Sequence, residues 1–286
     1  MSMYSAPTGP PSPRRGIGVV GIVTAVVGGV VLLGLGASAA VGIALSSQRS
    51  DLSQSEAGAM VDADGATGLD LNIGVAELTV QFGTVQGATL EARGGSAEKW
   101  ELGRDGDSIT VRAPRAERSG FCFLGVCPST RGQHVQATLT LPNELANRTI
   151  DADIRVGVGE VKAEGKFGEL NLKVDAGEAT VSGSATSLTA NVGVGTVQGE
   201  LADVQTVDAD VSLGDLELRL TGAQPVDVGL NVSAGSISLE VPDGVYDVTQ
   251  RGGIGTIENR LTTSPGAPNR ISAQVELGDI LLRATR

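Results

Sequence analysis

The sequence predicts an all-β protein: a β-solenoid or coiled β-sandwich of two-strand repeats of about 20 residues, preceded by one transmembrane helix. Three observations carry that expectation. A run of 33 residues, Gly16 to Gln48, contains no charge. Beyond it, an eight-residue pattern with a two-residue apolar period recurs along the chain. Aromatic residues make up 2% of the chain, whereas Gly alone numbers 41. A body with so few large side chains must be thin, and its backbone must bend or approach itself often.

The elements follow in chain order. Residues 1–15 are rich in Pro and small polar residues, which cannot build a core, and read as a disordered cytoplasmic tail. Residues 16–46 form the expected transmembrane helix, because about 20 apolar residues already cross a bilayer. Arg14 and Arg15 abut this run on its N-terminal side, which predicts a cytoplasmic N-terminus and an extracellular C-terminal body, single-pass in the cell membrane. Cleavage as a signal peptide at Ala37-Ser38-Ala39 is the alternative. The 21 residues from Gly16 to Gly36 exceed the usual apolar core of a signal peptide, so a retained anchor is expected. Small residues four apart, Gly21, Ala25 and Gly29, then Gly34, Ser38 and Gly42, allow self-association, although a helix this rich in Gly and Ala shows such rows by composition. Residues 47–66 read as a polar extracellular tether.

Residues 67–286 read as the solenoid. The octet has the form apolar-x-apolar-x-Val-x-small/apolar-Gly. It occurs as IDADIRVG from Ile150, LNLKVDAG from Leu170, LTANVGVG from Leu188, VDADVSLG from Val207, VGLNVSAG from Val228 and ISAQVELG from Ile271. VTQRGGIG from Val248 is degenerate, with Gly252 at the Val position, and LDLNIGVA from Leu69 is an outlying copy ending in Ala76. Alternation sends Leu170, Leu172, Val174 and Ala176 to one face; after Gly177 the apolar positions are Ala179 and Val181, so the parity shifts. A parity shift at Gly predicts a corner or bulge, which makes Gly157, Gly177, Gly195, Gly214, Gly235, Gly255 and Gly278 the structural glycines of the repeat. Each repeat is then two short strands about a bend, and the copies must stack to bury a shared face. Residues 78–149 alternate too, outside this repeat, and read as the capping end of the body; Gly103 to Asp107 has the composition of a hairpin turn.

Strands running up to Leu141-Pro142 in ATLTLPNELANRTI, followed by rungs ending Gly-[DEST]-apolar-x-apolar, resemble the bacterial putative-adhesin "toastrack" domain, a domain of unknown function, over roughly residues 67–286. The resemblance implies an all-β, solenoid-like envelope domain joined to a transmembrane helix, associated with adhesion or envelope stress, with no catalytic residues to carry over. The insertion around 115–133 departs from the family's simplest pattern.

The same composition excludes several chemistries. A net charge of -12 argues against nucleic acid as a partner. With one His (His134) and two Cys, the chain lacks the material for a His-based triad or a Cys-rich zinc module, so no catalytic, cofactor-binding or metal-ligating residues are expected. The segments VGVGEV, VGVGTV and RGGIGT do not complete a dinucleotide fingerprint and lead into strand-like sequence, not a helix. Asp151 with Asp153, and Asp208 with Asp210, sit on outer faces; stacked carboxylates attract Ca²⁺, but the spacing fits no calcium repeat, and a solvated acidic face is the expectation. A carbohydrate-active solenoid would need aromatic platforms. After the anchor the aromatics are only Phe82, Trp100, Phe121, Phe123, Phe167 and Tyr246.

Cys122 and Cys127, in FCFLGVC, form a candidate disulfide, since outside the membrane two neighbouring Cys with nothing else to pair with oxidise to one another. Phe121, Phe123 and Leu124 beside them form either a contact loop for a partner or the membrane, or a tip packed back on the body. The functional expectation is a non-enzymatic, membrane-anchored envelope protein acting in binding, adhesion or scaffolding, its partner an envelope protein or surface ligand and its cofactors none. The alternative is an envelope-stress sensory or regulatory ectodomain working through lateral membrane partners.

Overall fold

The computed structural model describes residues 56–94, 97–114 and 135–285, all within one compact unit, Leu52–Arg286. The tail, the expected transmembrane segment 16–46, the insertion with Cys122 and Cys127, and His134 lie outside the described residues. Among the described residues, no helix is long and apolar enough to cross a membrane.

The body is one continuous sheet of twelve strands, coiled into a stack. The N-terminal part holds β1 (Glu56–Val61), β2 (Gly68–Gly83), β3 (Ala88–Arg93), β4 (Glu101–Asp105), β5 (Ser108–Arg112) and β6 (Gln136–Pro142). The repeats form β7 (Ile150–Ala202), β8 (Thr206–Thr221), β9 (Asp227–Val241), β10 (Val245–Asn259), the short β11 (Thr262–Thr263) and β12 (Arg270–Ala284). Rungs pair in parallel: β2 with β7, β7 with β8, β8 with β9, β9 with β12 and β12 with β10. The solenoid of parallel two-strand rungs is therefore present.

Each rung has two arms. In the rung from Leu188, Leu188, Ala190 and Val192 point inward on the first arm, and Val197 and Leu201 on the second; all are buried. The inward set changes from even to odd numbers at the corner, as the parity shift predicts. Fully burying a Val or Leu contributes roughly 1.5–3 kcal/mol, so a rung is stabilised by its stacking and not by itself. The corner glycines lie directly over one another. A Cβ on Gly195 would stand 2.0 Å from the Gly177 carbonyl oxygen, and one on Gly177 2.2 Å from that of Gly159. Gly195 also takes φ +150°, a conformation L side chains rarely adopt. Gly214, Gly235, Gly278 and Gly255 continue the same column.

At four points the structure departs from the expectations or goes beyond them. In the first full rung the column runs through Gly159, not Gly157: Ala76 pairs with Gly159, and the octet is ADIRVGVG from Ala152. VGVG satisfies the pattern in two frames, and only the stacking contact with Ala76 selects one. Second, Leu78–Phe82 is not outside the repeat. It is the second arm of the rung begun at Leu69, with Leu78 paired to Val161 and Val80 to Ala163. Third, the C-terminal copies do not stack in sequence order, because β12 lies between β9 and β10. The degenerate copy is therefore the outermost rung, where a missing Val at Gly252 leaves no neighbour unsupported. Fourth, part of the segment read as tether is strand: Glu56–Val61 pairs antiparallel with Ala88–Arg93.

Residues 78–149 contribute a capping end in part as expected. β3 and β6 pair antiparallel, and β4 and β5 form a hairpin whose turn is Gly106-Asp107, with Gly106 at φ +57°. Trp100 and Leu145 are buried beneath this end.

Candidate binding surface

The position that the repeat pattern assigned to the core just before each corner Gly is not in the core. Its occupants, in spatial order, are Val75, Val158, Ala176, Val194, Leu213, Ala234, Leu277 and Ile254. Val158 and Val194 are each 53% exposed, Leu213 57% and Ile254 82%. The physical cause is the corner itself. The chain pivots there, so the residue between the last inward side chain of one arm and the Gly points out along the bisector of the bend. Register then aligns these side chains rung upon rung into an apolar ridge. At a strand spacing of roughly 4.8 Å, eight rungs make it about 34 Å long.

Beside the ridge runs a second column, the residue after each corner position. It comprises Glu77, Glu160, Glu178, Thr196, Asp215, Ser236, Asp279 and Thr256. Five of these eight are carboxylates. Ser236 donates from Oγ to Asp215 Oδ1 at 2.5 Å, and Gln136 donates to Glu77 Oε2 at 2.9 Å. Lys162 pairs with Glu160, and that hydrogen bond raises the lysine's pKa. At the N-terminal end the ridge opens into a cleft of about 580 Å³ lined by Val75, Val135, Val158, Ala176 and the carboxylates of Glu77, Glu160 and Glu178. The surface thus offers a narrow apolar line with one acidic margin. It suits an extended partner that carries apolar side chains next to basic ones.

The predicted site residues fall elsewhere. Asp153 pairs with Arg155 at 2.5 Å, and Arg155 also reaches Asp70 at 3.6 Å. Partial burial raises the Asp153 pKa, the Arg155 charge opposes that, and Asp70 adds to it. Asp151 Oδ1 accepts from the Glu169 backbone N–H at 2.8 Å, so it ties one rung to the next. Asp208 and Asp210 pair across the sheet with Thr189 and Asn191 on one side and Gly229 and Asn231 on the other, so no carboxylate ladder forms there. Among the described residues, no three His, Cys, Asp or Glu side chains gather into a metal-holding group. The Cys122–Cys127 pair and the loop of Phe121, Phe123 and Leu124 lie outside the described residues. Sequence reasoning missed the ridge because an apolar residue in an alternating run looks inward. The available signal was the Gly that follows it: a bend leaves one residue between two inward parities.

No protein-family model and no curated protein matches the chain. Solved structures are similar at low identity. A putative cell adhesion protein from Clostridium sporogenes is 12% identical, with 81% of this chain and 100% of that chain covered and a TM-score of 0.38. A putative adhesin from Bacteroides fragilis is 15% identical, covering 81% of this chain and 97% of that one, with a TM-score of 0.48. A putative adhesin from Parabacteroides merdae is 12% identical over 82% of this chain and 96% of its own, at a TM-score of 0.35. The structural neighbours of this β-stack are thus proteins named as adhesins, at identities and scores that do not by themselves transfer a role to it.

Proposed function

We propose that this chain is a non-enzymatic, membrane-anchored envelope protein whose extracellular β-stack works by binding, and that the corner ridge is its contact surface. The observation that carries the reading is the ridge. A line of mostly Val, Leu and Ile side chains kept in register, most of them half or more open to solvent, adds less to the stack than the inward columns do, and exposed apolar lines mark contact. The acidic margin selects the partner: a surface protein presenting basic side chains beside apolar ones. The N-terminal uncharged run, flanked by Arg14 and Arg15, supplies the anchor in this reading.

Two experiments test it. In the full chain, Val158→Ser, Val194→Ser and Leu213→Ser combined should lower the melting temperature by only a few degrees, since half-exposed positions contribute less than buried ones, and should lower cell attachment to a protein-coated surface about tenfold. Unchanged attachment, or a collapse of stability on the scale of buried truncations, would overturn the ridge as a contact surface. Separately, protease added to protoplasts should digest the 67–286 body and spare the N-terminus. A shortened protein in the culture medium would instead show cleavage near Ala39.

A further inference from the structure

The outer side of β10 is an open strand edge. Among the described residues its neighbour there is only β11, which pairs with Val245 and Tyr246, so no described strand lies beside the edge from Asp247 to Asn259. From Thr249 to Thr256 every residue is exposed, unlike the corresponding residues of the rungs within the stack. Natural sheets blunt such edges with Pro, Lys or charged inward positions. This segment has neither Pro nor Lys. What it has at inward positions is Gln250 and Asn259, where the neighbouring rung β12 has the buried Ala273 and Leu282.

We infer that this edge pairs with the same edge of a second copy of the chain, antiparallel about a two-fold axis through the corner. The corner lies midway between Gly252, the last inward position of the first arm, and Ile257, the first of the second arm. A two-fold through that midpoint lays corner on corner and keeps both inward faces on the core side. It sets Ile254 opposite Gly255 of the second copy, Gly252 opposite Ile257, Arg251 opposite Glu258 and Gln250 opposite Asn259, each pair occurring twice.

Both polar pairs are complementary, one in charge and one as amides. The two adjacent registers that preserve the inward faces are worse: one sets Arg251 opposite Arg260, the other opposite Thr256. Arg251 forms no ion pair among the described residues, whereas Glu258 already holds Arg260 at 2.7 Å, exposed and exchangeable. A straight foreign strand would not fit, because the edge bends in its middle and only a strand bent at the same place follows it. The pairing uses up the edge on both sides, so it closes at two copies.

Cysteine cross-linking of the full chain in its membrane tests the register. Oxidised Arg251→Cys/Glu258→Cys should give a dimer band well above either single variant, which also controls for the native cysteines. Arg251→Cys/Arg260→Cys should give no more than its single variants. Charge exchange gives a second readout by sedimentation of the full chain in detergent. Arg251→Glu should weaken dimerisation roughly tenfold, since two facing pairs become repulsive, and Arg251→Glu/Glu258→Arg should restore it. Absence of the first cross-link, an equal band from the second pair, or no rescue by the exchanged pair would each overturn the inference. A dimer held only by the N-terminal segment would show none of these register effects.

Discussion

Replacing Gly195 by Val is expected to cost roughly 3–6 kcal/mol of unfolding free energy, enough to unfold the body of a marginal domain. Two effects add. The residue sits at φ +150°, where a β-branched side chain is strained. Its new Cβ would also stand 2.0 Å from the Gly177 carbonyl oxygen and 2.8 Å from the Gly177 nitrogen. Those are backbone atoms of the next rung, themselves stacked on Gly159, so relief requires prying rungs apart along the corner. Denaturant unfolding of Gly195→Val beside Gly58→Val measures the difference. Gly58 lies on β1 with nothing within 4 Å of a Cβ, so its change should stay within about 1 kcal/mol. Gly222, although outside the octets, is no neutral control: its φ is +79° and a Cβ would meet Asp203 Oδ1 at 2.3 Å. Equal losses at Gly195 and Gly58 would remove the corner column as a source of specificity.

The second large effect is expected at Tyr246. Its side chain is fully buried in the core of the outermost rung, the largest buried so completely among the described residues. Its hydroxyl donates to the Pro242 carbonyl at 2.7 Å. Tyr246→Ala should therefore cost about 3–5 kcal/mol, as aromatic truncations in cores do, while Tyr246→Phe should cost about 1 kcal/mol for the lost hydrogen bond. The phenol also predicts a pH dependence. Burial, with a smaller push from Asp243, raises its pKa from 10.0 to about 12. A neutral phenol is thus favoured in the folded state. That contribution is fully present below pH 10 and is lost as pH rises toward 12, a decline of up to roughly 2 kcal/mol. Unfolding measured across that window should show a steeper decline in the parent than in Tyr246→Phe, which keeps the contribution of Lys162. An identical decline in both would assign it to other groups.

Much of the stack was legible because its physics is local. Alternation identifies strands, and a Gly at a parity change identifies a corner, so the rungs from Leu170, Leu188, Val207, Val228 and Ile271 were found with the correct frame. Where the pattern allowed two frames, as in VGVG at 156–159, only the contact between rungs decides. The exchange of β10 and β12 was illegible for a related reason: every rung presents the same octet, so spacing does not say which copy lies on which. The hint was Gly252, an empty core position tolerable only at an end. The ridge was missed because hydrophobicity does not distinguish an apolar residue turned inward from one turned out at a bend. The acidic pairs were placed correctly on outer faces; Arg155, two residues along the same strand, is a local partner for Asp153, but the Glu169 N–H that Asp151 accepts comes from the next rung, which only the fold brings alongside.

The insertion of β12 between β9 and β10 has a kinetic consequence. A chain that emerges from its N-terminus forms β10 before β12 exists, and the edge of β9 is then free to accept β10 in its own parallel register. That pairing would set Gly252 over Val232, where β12 later puts Val275. That early arrangement would be a trap with a poorly filled core, which β10 would have to leave for a rung translated after it. Protease resistance of the newly translated chain should therefore develop with a slow phase that Gly252→Val lengthens, because a filled inward position makes the misplaced rung harder to displace. The order of synthesis and the order of stacking disagree at this one point, so the last rung to be made is not the last rung of the stack.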